Sequence, residues 1–149
     1  MKTIKFCFTI DDDVIQKYKI KNPSAVHFNV MAYLNDPNGW GIFFEPVSQG
    51  ESIHIRLCMP SVIKQKCGFD NLSCAEMNGH HVYINANRWF HGSKESKLSL
   101  DNYRQYLITH EMGHILGYKH KKCPCKGCKA PVMMQQTLGI GDCIPNTKV

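Results

Sequence analysis

Three histidines and a glutamate fall within eleven residues, HEMGHILGYKH from His110 to His120, and their types and spacing are those of a zinc centre with hydrolytic chemistry. On an α-helix His110 and His114 lie roughly 40° apart and about 6 Å along the axis, so both imidazoles can meet one ion. Glu111 falls on the flank of that pair, where a carboxylate can reach a metal-bound water. His120 would sit about 15 Å along the axis from His110 if the helix ran on, facing another way. Gly117 resolves this, because glycine enters the left-handed conformation without a Cβ penalty, ends the helix and lets the chain bring His120 back. A shuffled chain of this composition contains the full pattern about one time in ten thousand, so chance does not explain it.

Three neutral imidazoles with an open fourth position make a catalytic zinc site, unlike a closed structural one. Zinc moves the pKa of a bound water from about 15.7 to about 7 and polarises a carbonyl. Glu111 is the expected general base, taking the water's proton and passing it to the leaving group. These residues imply a zinc-dependent peptidase, with a peptide or protein as substrate. Two alternatives stay open: a non-catalytic zinc-stabilised binding module, and a zinc hydrolase acting on a non-peptide amide. A purely structural site has no need of Glu111, which argues against the first.

The elements that must hold this centre follow from patterning. Thr3 to Ile10 alternates as a first strand and ends at three aspartates; residues 14 to 22 are ambiguous. Asn22 followed by Pro23 is a helix start, and Val26, Val30, Met31 and Leu34 make its apolar stripe up to Asn35. DPNG, 36 to 39, forces an exit. Gly41 to Val47 and Ser52 to Cys58 read as strands joined by a turn at 48 to 51, 60 to 80 as irregular, and His81 to Asn85 as a short strand. Ser99 caps the long metal-bearing helix, whose stripe begins at Leu100, Tyr103 and Leu107. The expected fold is α+β: a twisted mixed sheet, the active-site helix and a second helix packed on it, and a cysteine-rich C-terminal segment, all in a single domain spanning residues 1–149.

The chain is 149 residues long with a net charge of +6, large enough for its own core. Basic residues concentrate between Lys94 and Lys129; a solvated basic face accounts for them better than an acidic substrate does. No interleaving of basic and aromatic residues points to nucleic acid, no run reaches the length of a membrane span, and MKTIKFCFTIDDD reads as a strand instead of a signal peptide. The chain reads as a monomer. No prosegment is visible before the domain. Eight cysteines nevertheless point to an oxidising environment, secreted or virion-like, over the cytoplasm.

The extended motif resembles that of the metzincin zinc peptidases. A closer resemblance covers most of the chain: LNDPNGW, INANRW, YRQYLITHEMGHILGYKH and APVMMQQT are similar to a little-characterised metzincin-like domain known mainly from actinobacterial exported proteins. It implies a methionine-containing turn under the metal, with Met133 as the turn methionine; Met134 by itself reads as flexible core filling. Some metzincins carry a tyrosine ligand two residues later; Gln135 or Gln136 stands there, which favours three protein ligands. The resemblance pairs Cys67 with Cys74 and Cys123 with Cys143. Cys125 and Cys128 are additions that form a local disulfide, stay reduced, or join Cys123 and Cys143 in a second, structural zinc site. An edge strand for an extended peptide is expected around His81 to Asn87. His27, His54, His80 and His81 read as surface or core residues, and Asn85, Arg88 and Trp89 as packing residues.

Overall fold

The computed structural model describes residues 2–149. Its strands are β1 (Thr3–Ile10), β2 (Phe43–Pro46), β3 (Ile53–Cys58), β4 (Cys74–Ala75) and β5 (His81–Asn85). They form one mixed sheet in the order β2-β1-β3-β5-β4, in which β4 runs antiparallel to β5 and every other pair is parallel. The helices are α1 (Asp12–Lys17), α2 (Pro23–Leu34), α3 (Pro60–Cys67), α4 (Ala86–His91) and α5 (Leu100–Ile115), with short 3-10 turns at Lys94–Ser96 and Gln136–Leu138. The fold is α+β, as the order of patterned segments implied.

Alternation decides which sheet face is buried. Phe6 and Phe8 of β1, Ile53, Ile55 and Leu57 of β3, and Val82 and Ile84 of β5 join one core with Tyr33 and Leu34 of α2 and Tyr103, Tyr106, Leu107 and Met112 of α5. Each such fully buried side chain stabilises by about 1.5–3 kcal/mol, and a one-residue slip in register would expose a whole row of them. The opposite face carries Cys7, Thr9, His54, Arg56, His81 and Tyr83, all at least partly exposed.

Asn22 caps α2 by accepting the Ala25 N–H at 3.3 Å, with Pro23 in the first turn. At the other end the Asn35 side chain pairs with both backbone groups of Phe44, at 3.0 and 2.8 Å, and so docks the helix exit on β2. The DPNG turn between them delivers Trp40, whose indole N–H donates to the Thr109 carbonyl of α5 at 2.9 Å.

Several expectations need correction. The segment linking β2 and β3 does not reverse the chain: Pro46 and Ile53 both stand level with Phe6, on opposite flanks of β1, so the two strands run parallel. The ambiguous stretch opens with α1. Residues 60 to 67 form a helix, started by Pro60 in its first turn and ended by Gly68 at φ 85°, punctuation that an apolar-stripe search overlooks in so short and polar a segment. Residues 86 to 91 are likewise helical, capped by Asn85, which accepts from the N–H groups of Asn87 and Arg88. Leu100 stays 40% exposed, so the buried stripe of α5 starts at Tyr103. The expected edge strand at His81 to Asn87 is not one: β5 lies between β3 and β4, and the sheet edges are β2 and β4.

Candidate metal centre

The 16 residues of α5 run through the core, and every residue from Tyr106 to Ile115 is buried. Ser99 caps its start, accepting the Asn102 N–H at 3.3 Å. Its end is built by Gly117, at φ 97°. The Gly117 N–H reaches the His114 carbonyl at 3.0 Å and the Tyr118 N–H the Gly113 carbonyl at 2.9 Å, a glycine-dependent helix ending that turns the chain sharply. A side chain at Gly117 would also strike the Asn78 amide oxygen, 2.6 Å from an ideal Cβ.

That turn brings His120 to the helix. One ligand nitrogen from each of His110, His114 and His120 can be chosen so that all lie within 4.8 Å of one another, and among the described residues no other group of His, Cys, Asp and Glu gathers in this way. His110 Nδ1 lies 2.8 Å from the Val132 carbonyl and His114 Nδ1 2.8 Å from the Tyr118 carbonyl. A carbonyl only accepts, so both Nδ1 atoms carry the proton and both Nε2 lone pairs are free for a ligand. The Nε2 atoms of His114 and His120 stand 3.0 Å apart, close to the roughly 3.3 Å between two imidazole nitrogens on one tetrahedral zinc ion. Desolvation pushes His110 down to about 3, assisted by repulsion from its two neighbours, and lowers His114 and His120 as well. The three rings are therefore neutral at physiological pH, the form that binds a metal. The donor set fits a divalent cation such as zinc.

Glu111 is 3% exposed and, among the described residues, accepts no hydrogen bond from the protein. It borders a cavity of about 270 Å³ that it shares with the three histidines. Burial pushes its carboxyl up to about 8. Phe69, Leu72, Ala75, Met77 and Leu107 form the apolar remainder of the cavity wall.

The turn after the cysteine-rich segment packs beneath this centre. Met133 is 2% exposed, and an ideal Cβ on Gly113 would lie 2.4 Å from its sulfur and 2.8 Å from Trp40 Cζ2. Gly113, the fourth residue of the motif, is thus small because Met133 and Trp40 occupy the space beside it. Tyr106, one helical turn before His110, donates its hydroxyl to the Met134 carbonyl at 2.7 Å and accepts the Gln136 N–H at 2.9 Å. Reading the motif alone misses Tyr106 and Trp40; the signal for Tyr106 is its place four residues before a ligand, on the same stripe. Gln135 borders the cavity, whereas Gln136 is buried and bonds Pro131 and Asn146.

Three disulfides are present: Cys67–Cys74, Cys123–Cys143 and Cys125–Cys128, with Cα–Cα distances of 6.6, 5.9 and 5.3 Å. Of the alternatives open to Cys125 and Cys128, the structure has the local disulfide; the four sulfurs that a second zinc site would need are paired with one another and are not thiolate ligands. Cys67–Cys74 brackets the loop that carries Phe69 and Leu72 to the cavity. Asn85 reinforces that loop, its amide donating to the carbonyls of Asp70 and Leu72 at 2.9 and 3.2 Å, and Arg88 adds a bond to the Asn71 carbonyl at 2.8 Å. Trp89 is buried in the core. Cys7 and Cys58 are free. His27, His54, His80 and His81 lie outside the cluster; His54 and His81 are neighbours on the open sheet face, ring centroids 5.6 Å apart. No helix among the described residues is long and apolar enough to cross a membrane.

The fold and the cluster define a disulfide-bearing α+β protein with a three-histidine group able to hold a metal ion. The chain belongs to the family described as "Protein of unknown function (DUF3152)", whose sequence profile matches residues 2–145. No curated protein matches it.

Proposed function

We propose that the protein is a zinc-dependent peptidase of the metzincin type, acting as an endopeptidase, with His110, His114 and His120 as metal ligands and Glu111 as general base. The observation that carries this reading is the pairing, in one cavity, of three neutral imidazoles with a buried carboxyl group that no protein donor engages. Bound zinc supplies Lewis acidity at an open coordination position, which activates water and polarises a carbonyl. The protein's own groups do the rest. Val132 and Tyr118 hold the two helix-borne imidazoles in the ligating tautomer through their carbonyls. Glu111 accepts the proton of the attacking water and delivers it to the leaving amine, a role worth on the order of 10² to 10⁴ in rate. The antiparallel edge strand β4 lies beside the cavity, with Cys74 and Ala75 in its wall, and an extended peptide can add to it as a further strand. The apolar wall suits an apolar substrate side chain.

A non-catalytic binding module is disfavoured by Glu111, because a carboxyl group buried without partners costs stability and a structural metal does not need it. Incubation of the zinc-loaded protein with an unfolded polypeptide, with and without chelator, tests the proposal. Chelator-sensitive cleavage is expected; the absence of cleavage with any divalent metal overturns it.

A further inference from the structure

Behind the turn that carries Met133 lies a second cavity, of about 480 Å³, which shares no lining residue with the one bordering the histidines. Its volume falls in the range of small-molecule sites, about 300–1,000 Å³. One wall is a pair of stacked rings, Trp40 and Tyr118, with centroids 4.7 Å apart and planes 12° from parallel. Trp40 is anchored through its indole N–H to α5, whereas Tyr118 is 47% exposed and offers the ring surface that Trp40 does not cover. Val132 and Met133 line the same cavity.

The remaining wall is cationic. Lys121, Lys129 and Lys148 line the cavity; no aspartate or glutamate does, and Val149 also borders it. The only ion pair among the described residues is Arg56 with Asp11, so none of the three lysines has a carboxylate within 4.0 Å. Each is carried on hydrogen-bonded backbone. The Lys121 N–H reaches the Met133 carbonyl at 3.0 Å, Lys129 bridges to Ile144, and the Lys148 N–H reaches the Asn146 side-chain oxygen at 3.1 Å. The Cys123–Cys143 and Cys125–Cys128 disulfides tie down the segments that bear the first two. Three lysines around one concavity favour an anionic ligand, and fixing their backbones beforehand reduces the ordering cost when an anion enters.

We propose that this cavity is a binding site for a small organic phosphate built on a flat ring. Three lysines suit a phosphate, which carries close to two negative charges at neutral pH, better than they suit a single carboxylate. The ring of the ligand stacks on the free surface of Tyr118 while its phosphate sits among the lysines. Asn38 and Asn146 line the cavity as further polar groups. The site depends on neither zinc nor Glu111, so it stands or falls separately from the peptidase proposal.

The test is a titration of the full chain with phenyl phosphate, inorganic phosphate and phenol, followed through tryptophan fluorescence and calorimetry, with and without chelator. Phenyl phosphate is expected to bind saturably, and about tenfold or more tighter than either inorganic phosphate or phenol, in both metal states. Combining Lys129→Glu with Lys148→Glu, both at exposed positions, lowers that affinity by about tenfold or more. Tyr118→Ala brings phenyl phosphate down to the level of inorganic phosphate. Absence of saturable binding by phenyl phosphate, or binding that the double charge reversal leaves unchanged, overturns the proposal. Retention of the wild-type unfolding midpoint by the lysine variant excludes misfolding as the cause of a loss.

Discussion

The two halves of the histidine cluster are held by different physics. His110 and His114 ride on a helix whose residues are buried without interruption from Tyr106 to Ile115, so core packing fixes them. His120 is exposed, on a segment without regular structure, and its position depends on the glycine turn, on the bond from the Lys121 N–H to the Met133 carbonyl at 3.0 Å, and on the Cys123–Cys143 link. The buried half is specified by many small contacts and the exposed half by a few covalent and backbone constraints. Damage to the first should unfold the protein; damage to the second should loosen the metal before it unfolds anything.

The sharpest way to break this contrast is to replace Cys123 and Cys143 together by serine. The link closes a loop of 20 residues, so its loss is expected to cost about 3 kcal/mol. Zinc affinity, measured by chelator competition at temperatures where the variant is folded, should drop as well, because His120 is freed while the helix pair stays. An unchanged affinity contradicts the claim that the exposed half relies on the link.

A slightly smaller effect is expected where the halves meet. Gly113→Ala places a methyl group against Met133 and Trp40, and overpacking of this kind costs about 1–3 kcal/mol. Chemical denaturation should show that loss, together with weakened metal binding as the turn beneath the histidines shifts. A fully stable Gly113→Ala variant would mean that the turn is loosely packed.

The smallest effect concerns pH in the metal-free protein. Burial raises Glu111 from 4.5 to about 8, so between those values the folded chain holds a proton that the unfolded chain has lost. Stability from this group is full below about 4.5 and declines as pH rises through 8. The histidines act in the opposite sense, since their depressed values cost stability only as pH falls below 6.5. The window from about 6.5 to 8 therefore isolates the glutamate. Unfolding midpoints are expected to decline across it in the wild type and to stay level in Glu111→Gln.

What could be read in the sequence follows the same division. The helix from Ser99, the glycine turn and the gathering of three histidines were legible because local spacing and capping specify them. Alternation marked β1, with Phe6 and Phe8 in its buried row, and Asn22 with Pro23 gave the start of α2. The parallel course of β2 and β3 was hidden, because a short link looks like a reversal when nothing local says that β1 lies between them. The polar helix α3 lacked a long apolar stripe, and the two-residue edge strand β4 is too short for alternation to register. Tyr106, Trp40 and the small size of Gly113 make sense only in three dimensions, as the parts that seat the Met133 turn against α5.

The most direct test of the central claim compares wild-type and Glu111→Gln protein for bound zinc and for cleavage of an unfolded polypeptide. One zinc per chain in both, with cleavage by the wild type that falls by about 10² or more in the variant, is the predicted result. Cleavage by Glu111→Gln at the wild-type rate, or a zinc-loaded wild type that cleaves nothing, would contradict it.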